Sequence, residues 1–396
     1  MADNNLDSIV ISEKQEKQSD QQTKLCAEQE SPQAIIPTGY EGGLYSPLPL
    51  APVYYSKPIN AIASARTRGQ ADPISQTMTI GEVTFSFPNG ASSCGVAAHK
   101  LLMVALSAFT SMNTARQTNP SLEVAINFME YAELCGEEVR PKAKPTQALR
   151  EKEAKRIENN IRNLQKKLRS ACKSLLGASA NWTENYNGKE YRYSGMTFIG
   201  AYEITRDYIR IEFTLSAAKH LVSHPIVSQY PSSMLAIAER NPPNAYAIAI
   251  CLISHYFLDR NVKAGTHNLL RIENILAHTR LPSVEELKAT SHSSEWPERV
   301  MDRFEACMNE LVRAGVVAPG WYYSSSKGKK LTEAEVNNLT SYEGWLKLCL
   351  CYEIAQAPSR EERLVDIQAR REKANKKRSS AANKRHKKKP KNPTTT

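Results

Sequence analysis

Lys155, Asn159, Arg162, Lys166, Arg169 and Lys173 recur at alternating steps of four and three residues. Side chains at that spacing share one face of an α-helix. A face with a cation on nearly every turn repels itself unless a polyanion neutralises it, and the chemistry it suits is holding phosphates. Segment 141–176 carries 11 Lys/Arg against three Glu, and none of those Glu falls on the stripe. Arg156, Asn159, Asn160 and Arg162 are also of types that read base edges, since Arg suits guanine and Asn suits adenine. A solvated surface helix, balanced by tertiary neighbours, is the competing reading.

A second set of candidates lies further along. Ser291-His292-Ser293-Ser294 places small donors before a helix, where a phosphate is favoured. Ser294 acting only as a helix cap is the alternative. The helix that follows carries Arg299, Arg303 and Arg313 among Glu298, Asp302, Glu305 and Glu310, so it is nearly charge-balanced. Lys189 and Arg192 beside the Asn187-Gly188 turn, and Lys327, Lys329 and Lys330 in a long loop, are within reach of a DNA backbone. Solvated surface lysines explain them equally well.

Catalytic constellations are missing. No G-x-x-x-x-G-K-[ST] occurs, which argues against a P-loop ATPase. No His-x-His pair occurs, and His220 and His224, four apart, lack a third ligand. Eight Cys are scattered without any C-x-x-C, so they read as reduced thiols rather than a zinc or redox site. The chain is expected to be non-enzymatic, with no metal and no cofactor. No secretory signal and no apolar stretch near the ~18 residues of a membrane span are visible. The expected location is the cytoplasm, with no membrane partner.

The elements must position these residues. At about 150 residues per domain, 396 residues suggest two to three domains. Apolar periodicity predicts a strand over 78–87, a helix over 96–112, a strand over 122–128, a short helix over 129–135 and a long amphipathic helix over 146–176. Two hairpins follow, 182–193 around Asn187-Gly188 and 198–213. The second half repeats the order: an apolar helix over 245–260, a strand over 269–271, short helices over 272–279 and 284–288, and an amphipathic helix over 297–314. Strands at 316–323 and 345–354 complete it. Helix, strand, short helix, long helix, hairpin is the winged-helix order, in which the third helix enters a DNA major groove. The expected fold is α+β and mostly helical, with two tandem winged-helix domains and disordered tails. The expected boundaries are a disordered acidic leader and Pro/Tyr-rich arm over 1–58, a first domain over 59–216, a second over 217–357, and a largely disordered basic tail over 358–396.

Several local sequences strengthen this. They are His99-Lys100-Leu101-Leu102, Phe128-Met129-Glu130-Tyr131 through Cys135-Gly136, and the basic helix running into Ala180-Asn181-Trp182. Further on come Tyr208-Ile209-Arg210-Ile211-Glu212-Phe213-Thr214, Asn241-Pro242-Pro243-Asn244-Ala245-Tyr246 and Ser341-Tyr342-Glu343-Gly344-Trp345. Their order and spacing over about 95–355 resemble the winged-helix replication initiators of bacterial plasmids and integrative elements. The resemblance implies a protein that binds repeated sites in a replication origin and recruits the host initiator and replicative helicase. It implies dimers that repress their own gene and monomers that initiate. A winged-helix transcriptional regulator without a replication role fits the same residues.

The formal net charge of +11 adds less than it promises. Residues 370–396 hold 12 Lys/Arg and one acid, Glu372, so the rest of the chain is neutral in sum.

Overall fold

Alternating apolar residues make strands here, and apolar residues repeating every three to four positions make helices. The computed structural model describes residues 44–54, 57–68, 77–80, 82–87, 95–140, 147–186, 189–223, 227–238, 242, 244–290 and 293–387. The acidic leader therefore lies outside the described residues. The protein is α+β, with about 52% helix and 22% strand.

The first half begins with β1 (Leu50–Tyr54), α1 (Lys57–Arg68), β2 (Thr77–Ile80), β3 (Val83–Ser86) and α2 (Gly95–Met112). β4 (Glu123–Asn127), α3 (Phe128–Leu134) and α4 (Gln147–Leu176) follow. Asn127 caps α3, its side chain accepting from the Glu130 amide. Gly136 after α3 has φ +75°, a conformation that suits glycine at a helix end. Then come β5 (Ser179–Tyr186), β6 (Lys189–Thr197), β7 (Ile199–Ile204), β8 (Tyr208–Phe213) and α5 (Leu215–Ser223).

β9 (Val227–Pro231) and a 3₁₀ turn over Ser232–Ala236 lead into the second half. It contains α6 (Ala245–Tyr256), α7 (Asp259–Ala264), β10 (Leu269–Arg271), α8 (Ile272–Leu276) and α9 (Val284–Ala289). Next are a π turn over Pro297–Met301, α10 (Asp302–Arg313), β11 (Tyr322–Ser324), α11 (Glu333–Asn337), α12 (Tyr342–Leu346) and β12 (Cys349–Cys351). The last helix is α13 (Arg360–Lys387).

The two halves share a connectivity. One antiparallel sheet runs β4-β8-β7 and another β10-β12-β11. In each, the last strand in the chain lies in the middle. Each set follows the succession helix, strand, short helix, longer helix, to which the second half adds α7 before its strand and α9 before its longer helix. The hairpin β5–β6 belongs to neither. Inserted in the chain between α4 and β7, it joins β2 and β3 in a separate sheet, β2-β3-β5-β6.

One hydrophobic core runs through both halves. At its centre is α2, with fourteen buried residues. Among them are His99 and Lys100, 0% and 5% exposed. The Lys100 ammonium donates to the carbonyls of Leu235 and Ile237, the latter at 2.8 Å. His99 Nδ1 lies 2.9 Å from the Tyr246 hydroxyl on α6. The arm also bridges the halves. β1 pairs antiparallel with β9, and Asn60 donates to the Ser254 hydroxyl at 3.1 Å.

Several expected elements differ. The strand over 78–87 is a hairpin: Ile80 pairs with Val83, so only 81–82 connect β2 to β3. The helix over 245–260 stops at Tyr256, because Leu258 is extended and starts α7. Trp345 is not on a strand. Ser341 caps α12 by accepting from the Gly344 amide, and Trp345 is fully buried against Trp296, Phe304 and Tyr323. The wing strands shrink to β11 and β12, with a Val317–Ile354 bridge beyond them. The basic tail, expected to be largely disordered with a charged helical stretch only as far as about 377, is helical from Arg360 to Lys387. Among the described residues one helix, α2, is long and apolar enough to cross a membrane, where none was expected. Its apolar surface is enclosed by the protein core, which accounts for its composition.

Burial pushes the His99 imidazole down to about 3 from its ordinary value near 6.5. The unfolded chain therefore binds a proton below pH 6.5 that the folded chain refuses, so stability falls as pH drops through that range. His99 is expected to contribute about 2 kcal/mol of destabilisation between pH 7 and pH 5. Urea denaturation of wild type and His99→Gln at both pH values checks this: the variant should lose less stability on acidification.

Candidate nucleic-acid interface

The stripe sits on α4, whose 30 residues span about 45 Å. Ile157, Ile161, Leu164, Leu168, Ala171 and Leu175 are buried, packing the helix against the core. Lys155, Asn159, Arg162, Lys166, Arg169 and Lys173 are all exposed. At ~100° per residue the two rows lie on opposite sides of the helix, so burying one presents the other to solvent.

The side chains of this helix divide into engaged and free groups. Arg156 ion-pairs with Glu138, and its other nitrogen lies 3.8 Å from Glu153. Asn160 donates to the Glu138 carbonyl at 3.0 Å. These two, expected to read base edges, tie α4 to the segment after α3. Arg162 pairs with Glu158 one turn back at 3.1 Å, while its side chain stays 70% exposed. Lys155, Asn159, Lys166 and Lys173 have no partner among the described residues. They form a row of unpaired donors on the outer face.

The connection between β7 and β8 lies against the same helix. Gln165 donates to the Thr205 carbonyl at 2.9 Å and Arg169 to the Ile204 carbonyl at 3.2 Å. Arg206 in that turn pairs with Glu158 at 3.3 Å. By strand order this turn, rather than Asn187-Gly188, is the counterpart of the loop between β11 and β12. Arg206 was missed because the strongest local turn signal lies in the inserted hairpin. Lys189 begins β6, and Arg192, on the same strand, is 83% exposed and pairs with Glu190 at 2.7 Å. Asn187-Gly188 itself lies outside the described residues.

In the second half, two of the three arginines expected to face DNA are paired with acids. Arg299 pairs with Glu295 at 2.6 Å, and Arg313 makes two bonds to Glu310, at 2.7 and 2.8 Å. Arg303 is exposed and has no partner among the described residues. Ser294 is exposed and Ser293 starts a 3₁₀ turn, whereas His292 lies outside the described residues. Lys327 and Lys329 are exposed in the loop after β11, and Lys330 stands over the Tyr322 ring at 5.2 Å.

Of the histidine pair, only His220 falls among the described residues. His220 is buried edge-on against Trp182 and Tyr193, with ring centroids at 5.2 and 4.6 Å, and His224 lies outside. No group of three or more His, Cys, Asp or Glu that could hold a metal ion occurs among the described residues.

Comparison with family models, with curated proteins and with solved structures gives no match.

The engaged residues should behave as structural ones. Asn160→Ala removes a half-buried bond and should lower unfolding free energy by about 1 kcal/mol. Arg156→Ala should cost less, as an exposed pair. Urea denaturation measures both.

Proposed function

We propose that the chain is a sequence-specific double-stranded DNA-binding protein built from two tandem winged helices, and that it acts as a replication initiator of a plasmid or integrative element. The observation that carries this reading is the shared connectivity. Both halves present helix, strand, short helix, longer helix and a three-stranded sheet with the last strand central, and in the first half the longer helix bears the exposed cation row. In this reading α4 occupies a major groove, Lys155, Lys166 and Lys173 hold phosphates, and Asn159 and Arg162 face base edges. Arg206 and the loop holding Lys327 to Lys330 flank the groove as wings. Arg303 and Ser294 mark the corresponding face of the second half. Expected partners are origin repeats, the host initiator and the replicative helicase, with a homodimer as the repressing form. A transcriptional regulator is the second reading, favoured by the same residues.

A duplex selected by the full chain from a random-sequence library supplies the probe. Each lost phosphate contact lowers the log–log salt slope by about 0.9. The triple variant Lys155→Ala, Lys166→Ala, Lys173→Ala should therefore bind with a slope smaller by about three and keep its melting temperature. Unchanged affinity and slope would remove α4 from the interface. Failure to select any duplex would remove the DNA-binding reading. Whether the gene maintains a plasmid deprived of its own initiator separates initiator from regulator.

A further inference from the structure

The C-terminal helix α13 is anchored at one end. Ser359 and Glu362 form its cap: the Ser359 amide donates to the Glu362 carboxylate at 2.8 Å and the Glu362 amide donates to the Ser359 hydroxyl at 3.2 Å. Arg360 donates to the Val262 carbonyl at 3.0 Å, in the last turn of α7. Arg363 donates to the Tyr256 carbonyl at the end of α6 and lies over the Tyr256 and Phe257 rings at 4.6 and 5.0 Å. Two arginines thus close the carbonyl ends of two other helices, where cations are favoured. Ile367 is buried, and Arg370 joins Asp366 at 2.9 Å to Asp259 at 3.2 Å.

Beyond this anchor the helix continues to Lys387. Segment 371–387 contains eight Lys/Arg and one acid, Glu372. Arg371, Asn375 and Lys376 are exposed. Starting a helix is the costly step, and the docked first turns supply a nucleus from which this segment propagates. Glu361, Glu362 and Asp366 at its start and the cations towards its end match the helix dipole. The cations still repel one another, and a polyanion relieves that. The only apolar residues from 368 to 387 are alanines. A helix that lies on a membrane needs larger apolar side chains, so phosphates of a nucleic acid fit this segment better than a lipid surface.

We propose that α13 is a DNA-binding arm, held in a fixed direction by the Arg360–Arg370 anchor and laid along the duplex backbone beside the second half. This rests on the DNA-binding reading above. It differs from a loose tail in that the cations reach a defined stretch of DNA. At ~1.5 Å per residue, 371–387 covers about 25 Å, or about seven base pairs.

The test is Asn375→Pro in the full chain. It breaks the helix beyond the anchor and leaves every charge in place, while Asn375→Ala keeps the helix. The probe is the selected duplex described above, read by equilibrium binding and hydroxyl-radical footprinting. Asn375→Ala should match wild type. Asn375→Pro should bind about tenfold more weakly and lose about seven base pairs of protection at one end only. A footprint of unchanged length in Asn375→Pro overturns the arm, whatever the affinity. If wild type binds no duplex, the proposed function itself fails. If the wild-type chain binds phosphatidylserine vesicles and not duplex, the partner assigned to the arm is wrong.

Discussion

An ammonium group taken out of water needs oxygen acceptors, because burying it unpaired costs several kcal/mol. Lys100 meets that need inside the core, and its acceptors are the backbone carbonyls of Leu235 and Ile237 in the stretch joining the two halves. Its neighbour His99 reaches Tyr246 on α6, and Lys100 lies 5.5 Å from the centre of the same ring. A helix of the first half therefore depends on the connector and the second half to satisfy its buried polar groups. The two halves share one core as a result, and the outer faces of α4 and α10 are carried by a common support. A protein that must address two neighbouring stretches of DNA benefits from such a link, since the spacing of its reading helices is then set by packing and not by a flexible linker.

The same logic separates the charges of α4. Glu138 and Glu158 take up Arg156, Arg162 and Arg206, and these pairs fix what flanks the helix: the segment after α3 on one side and the β7–β8 turn on the other. Lys155, Lys166 and Lys173 are left uncompensated along the outer face. Around α10 the acids stand beside the arginines instead, in Glu295–Arg299 and Glu310–Arg313. The pairing is local there, and Arg303 is left without a partner among the described residues. The halves have the same connectivity and unequal electrostatics.

Period and turn chemistry made much of this legible. The buried row of α4, the strands β4 and β8, the short helix closed by Gly136 and both first-half hairpins follow from residue spacing alone. What failed did so for identifiable reasons. Five-residue α12 carries Trp345 and Leu346 into an alternating apolar run, so a short capped helix looked like the start of a strand. The ties on Arg156 and Asn160 come from Glu138, about five helical turns away in sequence, and no helical period reveals them. Strand order is also a long-range property: Asn187-Gly188 is a strong hairpin signal, but nothing local states that its hairpin joins β3 rather than β4 and β8. The start of α13 was readable. Ser359-x-x-Glu362 after Pro358 is a capping box, the charged stretch to about 377 reads as helical, and the low-complexity composition beyond it obscured the last turns.

That last helix changes the meaning of the chain's charge. The formal value of +11 belongs to residues 370–396, which first looked like a diffuse cloud at the end of a neutral protein. Much of it instead follows one another along a helix whose first turns are bonded to the ends of α6 and α7. Those are elements of the second half, where Arg299 and Arg313, two of the three arginines around α10, are already paired with acids. The first half carries its own free cations on α4, and the second half adds to Arg303, Lys327 and Lys329 the cations of the helix attached through Arg360, Arg363 and Arg370. A polyanion running past both halves thus meets positive charge at each, supplied in one case by the surface of a core helix and in the other by an appended one.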